Sequence, residues 1–339
     1  MLNSVQKDFI PMRSFTQSVT AFLVVMVGLS ATNTLQNTDA ITAAVPKATQ
    51  VATAAVSTLP TLDPILVGAG DIGACSLPGD LQTANIILGI IKNAPANQKV
   101  EVFTAGDNAY PSGAMGEFWN CYDPSWGRFK AITHPSPGNH DYVTPGAAGY
   151  FTYFGKYAGT HGVSYYSYNF GAWHILSLDS NIPMKPGTPQ GKWIEADLQA
   201  NHALCIMAYY HHPTFTSRPE PDRPADVYPV WSTLYKYGVS VVISGHVHIY
   251  ERFLPQNVNG VFDPANGIRE FIAGTGGATP AHPSSRLLPN SQAQHGDDWG
   301  VLAFTLHATS YDWQFTSTSG KFSDSGTGAS CVNHALQTF

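Results

Sequence analysis

The sequence predicts an α/β fold in which two mixed β-sheets pack on one another. Short apolar runs rich in β-branched residues end abruptly in Gly, Asp or His, as buried strands do. Segments with apolar residues at helical spacing lie between these runs, and alternation of strand with helix is the α/β signature. Later stretches break the rhythm and read as antiparallel strands, which a mixed second sheet packed on the first would accommodate.

In chain order, the buried runs are Ile65–Asp71, Val100–Asp107, Cys205–His211 and Val239–His246. The helical segments are Leu81–Ile91, then Gln190–Ala200, with Trp193, Ile194 and Leu198 on one face, then Val227–Tyr237. Ser164–Leu178 reads as a hairpin. Gly267–Ala273, Val301–Leu306 and Tyr311–Thr316 read as an antiparallel set.

The chain has 339 residues, 43% of them apolar, enough for a sizeable core. Charged residues are only 12%, so neutral polar groups must carry much of the surface. With 17 basic against 23 acidic residues, nothing marks a nucleic-acid or anionic-membrane surface. Residues 1–35 read as a signal peptide or N-terminal anchor. Lys7 and Arg13 precede the apolar stretch Ala21–Leu29, which is well short of the roughly 20 residues that span a bilayer. Residues 36–62 form an Ala/Thr-rich linker, 63–318 the folded domain, and 319–339 a Gly/Ser-rich tail. A secreted or periplasmic location is expected, with no membrane partner beyond that anchor.

The chemistry-bearing residues sit where the runs end. They are Asp71-Ile-Gly73, Gly106-Asp-Asn-Ala-Tyr110, Gly138-Asn-His-Asp141, His211-His212 and Gly245-His-Val-His248. In open α/β sheets, sites form outside the carboxyl ends of strands, so these clusters can converge in one crevice. Asp, Asn, His and Tyr donors without thiolate suit two hard-to-borderline cations. The preceding glycines are expected to let the backbone turn sharply near the metals. His246 and His248 point the same way from an extended backbone, whereas His211 and His212 are expected on opposite faces, with at most one a ligand. Singly, each cluster could be a polar turn, and Tyr110 a core aromatic. Five in succession are not obtained by chance.

Together these motifs resemble the calcineurin-like metallophosphoesterase superfamily, over most of the chain from Asp71 to His248. Gly73 in place of a histidine, and the pattern Gly-Asp-x-x-Tyr, are similar to the purple acid phosphatase branch, as is Gly245-His-Val-His-Ile-Tyr-Glu-Arg252. The resemblance implies a four-layer α/β/β/α sandwich and two metal ions, an iron with a zinc, manganese or second iron. Asp71, Asp107, Tyr110 and His248 would hold the first ion, and Asp107, Asn139, His211 and His246 the second. Catalysis would involve His140, which Asp141 would orient, and His212. Asn108, Asn139 and His140 would contact a small phosphorylated substrate. Phosphate monoesters would be hydrolysed by a metal-activated hydroxide. Phosphodiester or nucleotide hydrolysis on the same site is the alternative, and an inactive secreted binding module the rival from another class. No Gly-x-Ser-x-Gly elbow supports a serine hydrolase. His295 and Arg218 are the candidates for a further substrate contact.

Cys75, Cys121, Cys205 and Cys331 are expected to form disulfides in an exported chain. Four cysteines allow three pairings, which spacing alone does not resolve. Cys75 and Cys121 each follow a metal motif at the same strand-end rim, so they should pair with one another. Cys205, at the entry end of its strand, would then hold Cys331 of the tail.

Overall fold

The computed structural model describes residues 62–160, 162–220 and 223–332. The expected signal and nearly all of the linker lie outside them.

Thirteen strands form two sheets among the described residues. Strands β1 (Ile65–Ala69), β2 (Val100–Ala105) and β3 (Thr133–Ser136) run parallel. Next come β4 (Tyr166–Phe170), β5 (Trp173–Ser177), β6 (Cys205–Tyr209), β7 (Val241–Ser244), β8 (Tyr250–Phe253) and β9 (Arg269–Ala273). The series ends with β10 (Ser291–His295), β11 (Gly300–Leu306), β12 (Ser310–Ser317) and β13 (Ser323–Ser330). One sheet has the order β13-β12-β11-β1-β2-β3 and the other β10-β8-β9-β7-β6-β5-β4.

Side-chain alternation along the strands builds the layers. Leu66, Phe103, Leu302 and Phe304 of the first sheet meet Ile175, Met207, Ile243 and Phe271 of the second in one buried core. The opposite faces carry Val67, Ala69 and Val102, packed with Ala84 and Ile87 of helix Gly79–Asn93. Likewise Ile206, Ala208 and Val242 pack with Ile194 and Leu198 of helix Pro189–Ala200 and Trp231 and Leu234 of helix Val227–Lys236. The result is the expected four-layer α/β/β/α sandwich.

Three details differ from expectation. The antiparallel set is divided: β11 and β12 extend the first sheet beside β1, while β9 lies in the second, parallel to β7 and antiparallel to β8. Strand β3 was not foreseen, because a four-residue strand containing Pro135 carries little strand signal and is tolerated only at a sheet edge. The stretch expected to be a tail from residue 319 contains β13, paired with β12 as the other edge of that sheet. Ladder hydrogen bonds order this segment, although it has almost no apolar side chains to bury.

Cys75 is bonded to Cys121, with Cα atoms 4.7 Å apart. Cys205 is bonded to Cys331 across 5.3 Å. These are the pairs expected from their places at the two ends of the strands.

Candidate metal centre

The site is assembled where five strands deliver their carboxyl ends. Asp71 follows β1, Asp107 and Tyr110 follow β2, Asn139 follows β3, His211 follows β6, and His246 and His248 follow β7. Asp71, Asp107 and His246 all have left-handed backbones, with φ of 61°, 49° and 67°. The ligand candidates themselves thus make the turn from strand into loop, a conformation that Asp and His tolerate better than bulkier residues. The glycines beside them serve mainly for space. A Cβ at Gly138 would collide with the Asp107 carboxylate, and one at Gly245 would lie 2.6 Å from Asp71 Oδ2.

Around these turns the side chains converge in two groups that share Asp107. In the first, the Tyr110 hydroxyl lies 2.8 Å from both Asp71 Oδ1 and Asp107 Oδ2, and 3.2 Å from His248 Nε2. His248 Nε2 is also 3.2 Å from Asp71 Oδ1. In the second, His211 Nε2 lies 2.9 Å from Asn139 Oδ1 and 3.2 Å from Asp107 Oδ2. His246 Nδ1 lies 3.0 Å from Asn139 Oδ1 and 3.3 Å from His211 Nε2. All seven residues assigned as ligands from the sequence are therefore brought together.

The outer atoms of the imidazoles determine what their inner atoms can do. His211 Nδ1 donates to Ala105 O at 2.8 Å and His248 Nδ1 to Thr279 O at 2.7 Å. A carbonyl can only accept, so the proton is on Nδ1 and the inward Nε2 of each neutral ring is a lone pair. His246 is turned the other way: its Nε2 lies 3.0 Å from Glu220 Oε2, which leaves Nδ1 facing inward. In the second group three acceptors (Asn139 Oδ1, His211 Nε2 and His246 Nδ1) thus face one another with no donor between them. Either a proton on one of these atoms or a bound cation satisfies that arrangement, and the donor set fits a divalent cation.

The buried electrostatics express the same demand. Burial pushes the His211 imidazole down, but the Asp107 and Asp71 carboxylates outweigh it and hold its pKa at about 9. His248 is likewise pushed down by burial and raised further by Asp71, to about 9. Burial, then the Asp107 and Asp71 carboxylates, push the Tyr110 phenol well above its ordinary value. Without a cation, protons take its place; binding metal would displace them.

Other expected residues are placed differently. His140 lies at the rim, its side chain 36% exposed, with Nε2 4.0 Å from Asp107 Oδ2. Asp141 does not orient it. The Asp141 carboxylate accepts from Asn108 N, Asn108 Nδ2 and Gly138 N at 2.9–3.1 Å, whereas His140 Nδ1 donates to Pro111 O at 2.7 Å. Asp141 therefore staples the loop carrying Asp107 to the loop carrying Asn139. Asn108 is fully buried in that staple, its Nδ2 donating to Ser136 O and to Asp141 Oδ2.

His212 also departs from expectation, for its ring centroid is 5.0 Å from that of His211 and 4.5 Å from that of His246. Strand alternation does not separate the two neighbours because β6 has already ended at Tyr209. One ring nitrogen each of His211, His212 and His246 lies within 4.8 Å of the others, as does one candidate ligand atom each of Asp71, Asp107 and His211. Burial, followed by the neighbouring His211 and His246, lowers the His212 pKa to about 2, so its ring stays neutral. His295 is stacked on Phe322, and the Arg218 guanidinium is bonded to the His282 carbonyl. Glu220, which touches His246, was not foreseen. No local pattern distinguishes it from any loop glutamate.

A family model of calcineurin-like phosphoesterases matches residues 67–250. The chain belongs to that family. Its curated relatives include several purple acid phosphatases and a nucleotide pyrophosphatase/phosphodiesterase of Hordeum vulgare, 23% identical over 295 residues, 74% of this chain and 76% of that protein. Purple acid phosphatase 15 of Arabidopsis thaliana is 27% identical over 220 residues, 53% of this chain and 41% of that protein. A second Arabidopsis protein, named probable inactive purple acid phosphatase 1, is 26% identical over 287 residues, 70% of this chain and 44% of its own. The chain thus spans less than half the length of these two relatives. The structure of a purple acid phosphatase from yellow lupin (Lupinus luteus) seeds superposes with a TM-score of 0.62 at 21% identity, over 77% of this chain and 53% of that one. At that identity the likeness speaks for the fold.

Proposed function

We propose that this phosphoesterase is an exported, two-metal phosphomonoesterase of acid phosphatase type. The observation that carries the proposal is the inward-facing set of acceptors in two groups sharing Asp107. Asp71, Asp107, Tyr110 and His248 would hold one cation, and Asp107, Asn139, His211 and His246 the other. A phenolate ligand favours Fe(III) in the first place, with Zn, Mn or Fe(II) in the second. When bound, such cations supply Lewis-acid activation of water and neutralise charge on phosphoryl oxygens.

The protein's own groups supply the remaining chemistry. His140 is pinned by Pro111 O so that its Nε2 faces the crevice beside Asp107. Protonated there, it donates to a phosphoryl oxygen or to the leaving-group oxygen. His212, neutral and anchored 2.8 Å from Ser180 Oγ, lines the second group without adding charge that would oppose a cation. Two disulfides suit an oxidising compartment, which supports the export expected from residues 1–35.

The test combines elemental analysis of protein purified without added metal with turnover of p-nitrophenyl phosphate and bis(p-nitrophenyl) phosphate. Two metal equivalents and faster monoester turnover are expected. Faster diester turnover would make the enzyme a phosphodiesterase. Folded protein without metal or turnover would make it a binding module.

A further inference from the structure

The three ligand imidazoles are held from behind in two different ways. His211 and His248 donate their outer nitrogens to neutral main-chain carbonyls, of Ala105 and Thr279. His246 alone among them has a carboxylate behind it, Glu220 Oε2 at 3.0 Å from Nε2, with the two side chains only 16% and 13% exposed. We propose that Glu220 is a positioning residue for the second cation: it selects the tautomer of His246 that turns the Nδ1 lone pair inward, and it lends that ring negative charge. This inference rests on the two-metal reading above.

The loop that carries Glu220 is built to hold it there. Thr214 N and Phe215 N donate to the fully buried Glu270 at 2.7 and 2.9 Å. Two residues further, Ser217 N donates to the fully buried Glu251 at 3.0 Å. On the far side Arg223 Nη1 closes the loop onto Thr214 O at 2.9 Å. Glu251 is the second residue of β8, three residues after His248, and Glu270 lies on the neighbouring β9. The strands that follow the paired histidines therefore fix the loop that returns to brace one of them. These ties lie on either side of Glu220 in the chain, at Thr214, Phe215 and Ser217 before it and at Arg223 after it.

The chemistry gives a specific consequence. An imidazole backed by a carboxylate is a more basic ligand than one backed by a carbonyl, and loss of such an outer partner typically weakens metal binding roughly 10–100-fold. The first group does not touch Glu220, so its cation should be unaffected. The effect is a split between two sites, which general loosening of the fold would not produce.

The experiment is graded chelation of the holoenzyme, with residual metal read by elemental analysis, for wild type, E220A and E220Q. In E220A the second equivalent should leave at roughly 10–100-fold lower chelator concentration, with the first retained as in wild type. E220Q keeps a neutral acceptor and should fall between the two. If E220A releases both equivalents as wild type does, or both early together, the assignment of Glu220 is wrong while the two-metal reading stands. If wild type itself holds fewer than two equivalents, that reading fails first, and Glu220 with it. Should E220A not fold, E220Q decides the question by the same displacement of the second equivalent.

Discussion

The two halves of the centre are held by different means. Asp71, Tyr110 and His248 form the first, anionic half, and its loops are joined covalently: Cys75 follows Asp71 by four residues and bonds to Cys121, beyond Tyr110. The second half, Asn139, His211 and His246, is built from neutral donors, and buried carboxylates brace its surroundings: Asp141 beneath Asn139, Glu270 and Glu251 beneath the loop after His212, and Glu220 behind His246. The contrast teaches that charge is placed where each half lacks it. The anionic half needs no further charge and is fixed by a neutral bridge. The neutral half has a carboxylate directly behind one ligand only, Glu220 behind His246.

Asp107 is the one side chain common to both halves, so D107N should abolish the comparison altogether. Loss of a partner behind a ligand costs roughly 10–100-fold, and loss of a shared direct ligand should exceed about 100-fold in turnover with the fold retained. Steady-state kinetics beside circular dichroism measures this, and a folded D107N with more than about a tenth of wild-type activity would sink the assignment.

Y110F breaks the first half alone. With iron in that place, the wild-type protein absorbs visible light through phenolate-to-iron charge transfer, and Y110F should be bleached, with turnover down by about tenfold. A colourless, iron-free and fully active wild type would remove the iron while leaving the phosphoesterase.

The covalent brace is separable from the ligands. C75S with C121S opens a bridge with a sequence separation of 46, for which the chain-entropy argument gives about 4 kcal/mol. Thermal melts should register that loss, and the first half should lose metal more readily than the second. C205S with C331S removes the bridge at the opposite ends of the strands and should cost similar stability without changing metal retention. Equal effects on metal from the two pairs would contradict the distinction.

The smallest expected effect concerns the carboxylates of the second half. Burial raises the Glu270 carboxyl from 4.5 to about 8 despite the donors Thr214 N and Phe215 N. Its protonated form is favoured by folding, so that contribution is complete below about pH 4.5 and is lost as the pH climbs to about 8. E270Q does not titrate. The stability advantage of wild type over E270Q should therefore shrink between pH 5 and pH 8, and melts showing it widen would reverse the sign.

Much of this molecule was legible in its sequence because the informative patterns are local. Buried strands declare themselves by apolar runs of fixed length, and ligands follow those runs directly, so Asp71, Asp107, His211 and His246 could be placed at strand ends without knowing the strand order. Tyr110, Asn139 and His248 came with contiguous motifs. Even the disulfides followed from which end of a strand each cysteine occupies.

The tertiary structure decided whatever depends on partners distant in sequence. Strand order put β11 and β12 beside β1, and ladder bonds made an edge strand of a segment with no apolar pattern. Asn108 and Asp141 look like groove residues in a motif, but the loops they join bury them both. The tautomers of His211, His246 and His248 are set by Ala105, Glu220 and Thr279, which come from three other segments of the chain. The physical reason is one of range: periodicity reports which face of its own element a residue occupies, whereas a hydrogen bond reports which other element the fold has brought to meet it.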